Sequence, residues 1–149
     1  MSAMIREFSP RLSTKPDIWQ QIGIAERGSK LYQALHQGFV YQVFDKLAAL
    51  STLDKKQLAA VCQLAPATLA RRAKSGRFTQ DESDRLYRFA TVFAAASSLF
   101  DGDNAAIKGW LTQPVYGLGD QAPIEMLATS AESQAVLDLI GRLEHGVFS

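Results

Sequence analysis

Two histidines, His36 and His145, and one cysteine, Cys62, are the side chains of this 149-residue chain best suited to nucleophilic or metal chemistry. The histidines stand 109 positions apart, and Cys62 falls within an apolar helical stretch. No set of nucleophile, base and orienting group can be assembled from them, and no metal-ligand spacing is present. Glu82 and Asp84 form a close acid pair, but Glu82 suits the last position of a capping box begun by Thr79, and Arg85 and Arg88 can offset Asp84. The chemistry to expect is binding, not catalysis, with no cofactor, no metal and no small-molecule substrate.

The residues suited to binding are basic and unevenly placed. Residues 54–90 carry Lys55, Lys56, Arg71, Arg72, Lys74, Arg77, Arg85 and Arg88 against four acids, whereas residues 91–149 carry Lys108 and Arg142 against seven. The first 53 residues are near balance, and the net charge of the whole chain is only +1. Asymmetry of this kind points to nucleic-acid contact at the basic part. On charge alone, two solvated surfaces of opposite sign are the preferred reading.

The elements that must position these groups are helical. The segment KKQLAAVCQLAPATLARRAKSGRF, Lys55 to Phe78, has the spacing of a helix-turn-helix. Leu58 and the small Ala59 face the second helix, Gln63, Leu64 and Ala65 make the turn, and the second helix starts near Pro66. Leu64 and Leu69 are expected to fill the wedge between them. Thr68, Arg71, Arg72 and Lys74 then project toward base edges and phosphates of a major groove, with no acid between Pro66 and Phe78. Lys55, Lys56, Gln57, Ala67 and Arg77 complete the expected DNA-facing set. Two positions depart from the usual pattern. Gln63 stands where glycine is common, so it must turn left-handed or change the turn. Ala65 stands where serine or threonine usually caps the second helix. A plain helical hairpin with a solvated basic face has the same periodicity.

Around this segment the pattern stays helical. Residues 1–16, with Pro10 and Pro16, lack periodicity, and residues 1–30 are assigned to a flexible or loosely ordered arm. Leu31, Leu35, Phe39, Val43 and Leu47 form one helical face, interrupted at Gly38. Asp54 and Gln57, Thr79 and Glu82, and Thr129 and Glu132 mark helix starts. The long helix from Gln80 to Leu99 buries Leu86, Phe89, Phe93, Ala96 and Phe100, and Asp101 to Asn104 ends it. A short helix carries Trp110 and Leu111 before Pro114, Gly117 to Asp120 form a loop, and Pro123 opens a further short helix. The last helix buries Val136, Leu139, Ile140 and Leu143 and stops at Gly146. No stretch alternates long enough for a strand. The fold expected is all-α, with a helix-turn-helix region over 31–90 and a small helical domain over 91–149. No apolar run approaches the ~18–20 residues of a membrane span, no charged-then-apolar leader opens the chain, and the single cysteine suits a reducing cytoplasm.

LAPATLARRAKSGRFTQDESDRLYRFA, Leu64 to Ala90, resembles the central signature of the Xre/MbcA/ParS-type antitoxins. There a Thr-Leu-x-Arg-Arg helix leads through a basic Gly-Arg turn into a Glu-Ser-Asp-Arg-Leu helix. The resemblance continues at Ala105-Ala106, Trp110-Leu111 and Pro114, then at Leu118-Gly119, Pro123, Leu127 and Thr129. It ends on Gly141-Arg142-Leu143-Glu144-His145-Gly146-Val147, so ordered motifs cover roughly residues 35–149.

The resemblance implies an antitoxin that represses its own operon through the helix-turn-helix, commonly as a dimer. The long helix from Gln80 to Leu99 and the acidic C-terminal part are candidate dimer surfaces. It also implies a C-terminal domain that neutralises a cognate toxin, commonly of the RES type, which degrades NAD or transfers ADP-ribose from it. Arg142, Glu144, His145, Gly146, Val147, Phe148 and Ser149 are then the tail expected to occlude the toxin's NAD site. Taken as a pair, Arg71 and Arg72 are expected to be needed for operator binding and dispensable for neutralisation. A stand-alone Xre-like regulator without a toxin partner, and an interaction module that no longer reads DNA, are the alternatives.

Overall fold

Helix caps and left-handed breaks divide the chain at short intervals. The computed structural model describes residues 17–146, and these contain eight α-helices, two single-turn 3₁₀ helices and no strands beyond two isolated bridges. The all-α reading is therefore what the structure shows.

The first helix departs from the expected arm. α1 (Ile18–Ile22) begins with a complete capping box, in which Asp17 accepts from the Gln20 N–H at 2.8 Å and Gln20 accepts from the Asp17 N–H at 3.0 Å. Trp19 and Ile22 are buried against the core, and Trp19 meets Tyr87 at a ring separation of 5.5 Å. Residues 17–30 are thus packed structure and not arm, because two large apolar side chains are enough to dock a five-residue helix that periodicity cannot detect. Residues 1–16 lie outside the described part.

Gly38 divides the next apolar stretch into α2 (Ser29–Gln37) and α3 (Gln42–Ser51). Its φ of 87° is left-handed, and a Cβ there would run into the Phe78 carbonyl. That close approach lets residues 39–41 pair with 76–78: Phe78 N–H donates to Phe39 and Tyr41 N–H to Gly76, both at 2.9 Å. Tyr41, Phe44 and Phe78 cluster at this junction. Fully buried Ser83 locks it from below, accepting from the Phe39 N–H at 2.8 Å and donating to the Thr79 carbonyl at 2.7 Å.

α4 (Lys55–Val61) and α5 (Pro66–Ser75) form the helix-turn-helix. α6 (Gln80–Leu99) starts on the Thr79–Glu82 capping box, and α7 (Asn104–Thr112) is capped by Asp103. The 3₁₀ turns Tyr116–Leu118 and Pro123–Glu125 lead into α8 (Ser130–Glu144), capped by Thr129.

α6 is the spine of the molecule. It packs against α2 and α3 on the N-terminal side and against α7 and α8 on the C-terminal side. Leu86, Phe89, Ala90, Val92, Phe93 and Ala96 are buried along it. Each fully buried large side chain contributes about 1.5–3 kcal/mol, so the two halves share one core through this helix. Its most deeply buried apolar positions face the chain's own core, while Tyr87, Ala94, Ala95 and Leu99 are only partly covered. Among the described residues no helix is long and apolar enough to cross a membrane, and no three histidine, cysteine or acidic side chains could share a metal ion.

Candidate functional site

The turn of the helix-turn-helix takes the first of the two routes open to Gln63. α4 ends at Cys62, and Gln63 enters the left-handed region at φ 58°. Gln63 N–H then donates to Ala60 at 3.1 Å and Leu64 N–H to Ala59 at 2.8 Å. This is the Schellman arrangement, with glutamine where glycine is usual and Leu64 buried behind it. Arg85 reaches across from α6 to hold the same turn, donating to the Gln63 carbonyl at 2.7 Å and the Cys62 carbonyl at 3.2 Å. Arg85 therefore does not offset Asp84. That ion pair belongs to Arg88, at 3.0 Å, which also donates to the Leu127 carbonyl.

Ala59 is buried at the crossing of α4 and α5, where a larger side chain would hold the helices apart. Leu64 fills the wedge, but Leu69 is only partly buried. Leu69 borders an apolar groove of about 590 Å³ between α4 and α5, with Ala60, Pro66 and Ala70 among its walls. Ala65 gives α5 no side-chain cap, as its side chain dictates, and Pro66 at the first helical position removes one donor that would otherwise lack a partner.

The basic residues fall into two groups. Ala67, Arg71 and Lys74 are exposed along α5, and Thr68 is half-buried and accepts from Arg71 Nη2 at 3.2 Å. Lys55 and Lys56 are exposed at the start of α4, where Asp54 caps the Gln57 N–H at 2.7 Å, and Lys55 is paired with Asp45 at 3.1 Å. Arg77 is exposed overall, with one guanidinium nitrogen donating to the Gly38 carbonyl at 2.8 Å. Arg72 differs, and here the expectation is corrected. Its Nε and Nη2 donate to the two carboxylate oxygens of Glu82 at 2.7 and 2.9 Å. The two side chains are 22% and 8% exposed, so this guanidinium faces the protein and not a groove. The bidentate bond with Arg72, helped by the Thr79 N–H, lowers the Glu82 carboxyl to about pH 2. The long span of this pairing, ten residues across a turn, left no local signature in the sequence.

At the other end, Arg142, Glu144, His145 and Gly146 are exposed, and Val147, Phe148 and Ser149 lie outside the described residues. Glu144 accepts from the Ser98 hydroxyl at 2.6 Å, which ties the end of α8 to α6. His145 Nδ1 lies 2.7 Å from the Gly141 carbonyl, a contact that caps the helix end. Gly146 follows in the left-handed region at φ 72°. The described part of the expected tail is thus a capped and anchored helix end.

A helix-turn-helix of this geometry, joined through one spine helix to a second helical unit, defines a two-part binding protein. Comparison with known proteins narrows the class. Residues 30–90 match the family described as the antitoxin Xre-like helix-turn-helix domain, and residues 95–146 match the antitoxin Xre/MbcA/ParS C-terminal toxin-binding domain. The chain is 38% identical to the antitoxin Xre of Yersinia enterocolitica over 97% of its own length and all of that protein. It is 34% identical to the antitoxin Xre of Photorhabdus laumondii, again over 97% of this chain and all of the relative. A shorter match, 34% over 68 residues, links it to the antitoxin Xre of Pseudomonas putida, covering 46% of this chain and 42% of that one. The chain belongs to the Xre antitoxin family.

Proposed function

We propose that this protein neutralises a co-encoded toxin through its C-terminal half and represses the operon of the pair through its helix-turn-helix. The observation that carries the reading is that one helix, α6, joins the two matched regions: Glu82 and Arg85 in its first turns bond to the helix-turn-helix, and its later turns pack against α7 and α8 of the matched C-terminal domain. The operator-facing residues in this reading are Lys55, Lys56, Gln57, Ala67, Thr68, Arg71, Lys74 and Arg77. The uncapped N–H groups at the start of α5 suit a backbone phosphate. A homodimer would supply the two-fold symmetry that palindromic operators need.

The toxin in this reading is of the RES type, which consumes NAD, and the tail from Arg142 to Ser149 excludes substrate from its cleft. The antitoxin itself turns over nothing. Its work is done in the cytoplasm, where toxin and operator both reside.

Induction of the neighbouring gene with and without this chain tests the first half. The expected result is NAD depletion and growth arrest that full-length antitoxin relieves and a variant lacking residues 142–149 does not. Operator affinity that falls steeply with salt tests the second half. Retained DNA binding with no toxin captured would return the reading of a stand-alone regulator. NAD turnover by the isolated chain would overturn the non-enzymatic role.

A further inference from the structure

Tyr116 is 92% exposed, far more than any other large apolar side chain among the described residues. Its surroundings are rigid. The turn Tyr116–Leu118 is closed by an isolated bridge between Val115 and Gln121, and five backbone hydrogen bonds of 3.0–3.3 Å tie residues 115–121 to one another. Leu118 plugs the turn into the core, and Ala122 and Pro123 are buried directly after it. On the other side, Gly117 rests against α8. A Cβ there would stand 3.2 and 3.3 Å from the Leu139 methyl carbons, so the backbone lies closer than alanine permits without a shift. With the backbone held at both ends and underneath, the Tyr116 ring stands outside the core that the described residues form.

We propose that Tyr116 is an anchor of the toxin interface, a ring held outward by a preformed turn to fill an apolar pocket on the toxin. This rests on the reading above that the C-terminal half binds a toxin. Tyrosine suits the task because it brings about 150–250 Å² of contact surface with few rotatable bonds to freeze, and central aromatic residues dominate interface energetics. A preordered turn lowers the cost of association further. The partner is a protein and not nucleic acid: Tyr116 sits in the segment matched to the toxin-binding domain, and residues 91–149 carry seven acids against two bases, which repels phosphate.

The test uses the full-length chain and the co-encoded toxin, with affinity, melting temperature and operator binding measured in parallel. Tyr116→Ala is expected to weaken toxin binding about 30-fold or more, with melting temperature and operator affinity unchanged. Tyr116→Phe is expected to stay within about threefold of wild type, since the ring fills the pocket. Wild-type affinity in Tyr116→Ala overturns the anchor while leaving toxin binding by this half intact. A change in self-association alone assigns the ring to a second copy of this chain and likewise overturns it. If wild-type protein binds no toxin, the broader reading falls and the anchor with it.

Discussion

Arg72 of α5 and Glu82 of α6 meet through two parallel hydrogen bonds, at 2.7 and 2.9 Å, while the same carboxylate accepts the Thr79 N–H at 2.9 Å. One acid therefore caps the spine helix and fixes the tilt of the helix proposed to enter DNA. Its neighbour Arg71 is exposed and reaches only to Thr68. Two adjacent arginines of the same motif thus have separate work, and replacing both at once would mix loss of contact with loss of alignment.

Single replacements separate them. Arg71→Ala is expected to weaken operator binding and reduce the salt dependence by about one phosphate contact, with melting unchanged. Arg72→Ala leaves the buried Glu82 carboxylate without its partner and is expected to lower Tm by about 5 °C. Calorimetry of the two variants decides; equal melting temperatures would remove the structural role given to Arg72.

The same pair sets a pH dependence. The folded carboxyl of Glu82 lies at about pH 2, below the ordinary carboxylate range near 4.3. A depressed acid stabilises the fold fully above its unfolded value and loses that contribution as pH falls. Stability is therefore expected to decline between about pH 4.5 and pH 2, and to decline less in Glu82→Gln, which starts lower. Denaturant titrations at pH 6, 4 and 3 measure this, and parallel curves for the two proteins would contradict it.

Which features were legible in the sequence follows from their range. Helix starts at Asp54, Thr79 and Thr129 are local, with partner and cap three positions apart, and each side chain accepts the expected N–H. Gln63 and Ala65 were readable as departures because backbone demands fall on single positions. The contacts that aim the motif are not local: Arg85 meets Gln63 across 22 positions, and Phe39 meets Ser83 across 44. Glu82 is fully explained locally as a cap, which hides its second role. Gly38 read only as an interruption; the requirement for it comes from the Phe78 carbonyl, which only the folded chain brings near.

Cys62 sits in the turn, buried to 2% exposure, and burial pushes its thiol up to about 12 despite the nearby Arg85 and Arg88. The thiolate is the reactive form, so alkylation of the native protein at pH 8 is expected to be slower than that of a free thiol by a hundredfold or more, on the order set by the thiolate fraction. Full reactivity should return in denaturant. Rapid native labelling would show that the turn opens readily.

The left-handed Gln63 and the Arg85 bonds to its carbonyl form a second pairing that can be measured. Left-handed backbone costs a non-glycine residue about 1–2 kcal/mol, part of which glycine repays in lost chain entropy. Gln63→Gly is therefore expected to stabilise the protein by up to about 1 kcal/mol. Arg85→Ala removes bonds to two carbonyls at a helix end and is expected to cost about 1–2 kcal/mol. If Arg85 holds the turn against the strain at Gln63, the arginine should matter less once the strain is gone. Arg85→Ala should then cost at least about 0.5 kcal/mol less in the Q63G background, the coupling expected of residues in contact. Denaturant unfolding of the four proteins completes the cycle, and strictly additive values would show that turn and arginine act independently. Operator binding read on the same four proteins links the turn to function: affinity lost in R85A and recovered in the double variant is the signature of a recognition helix aimed through its turn.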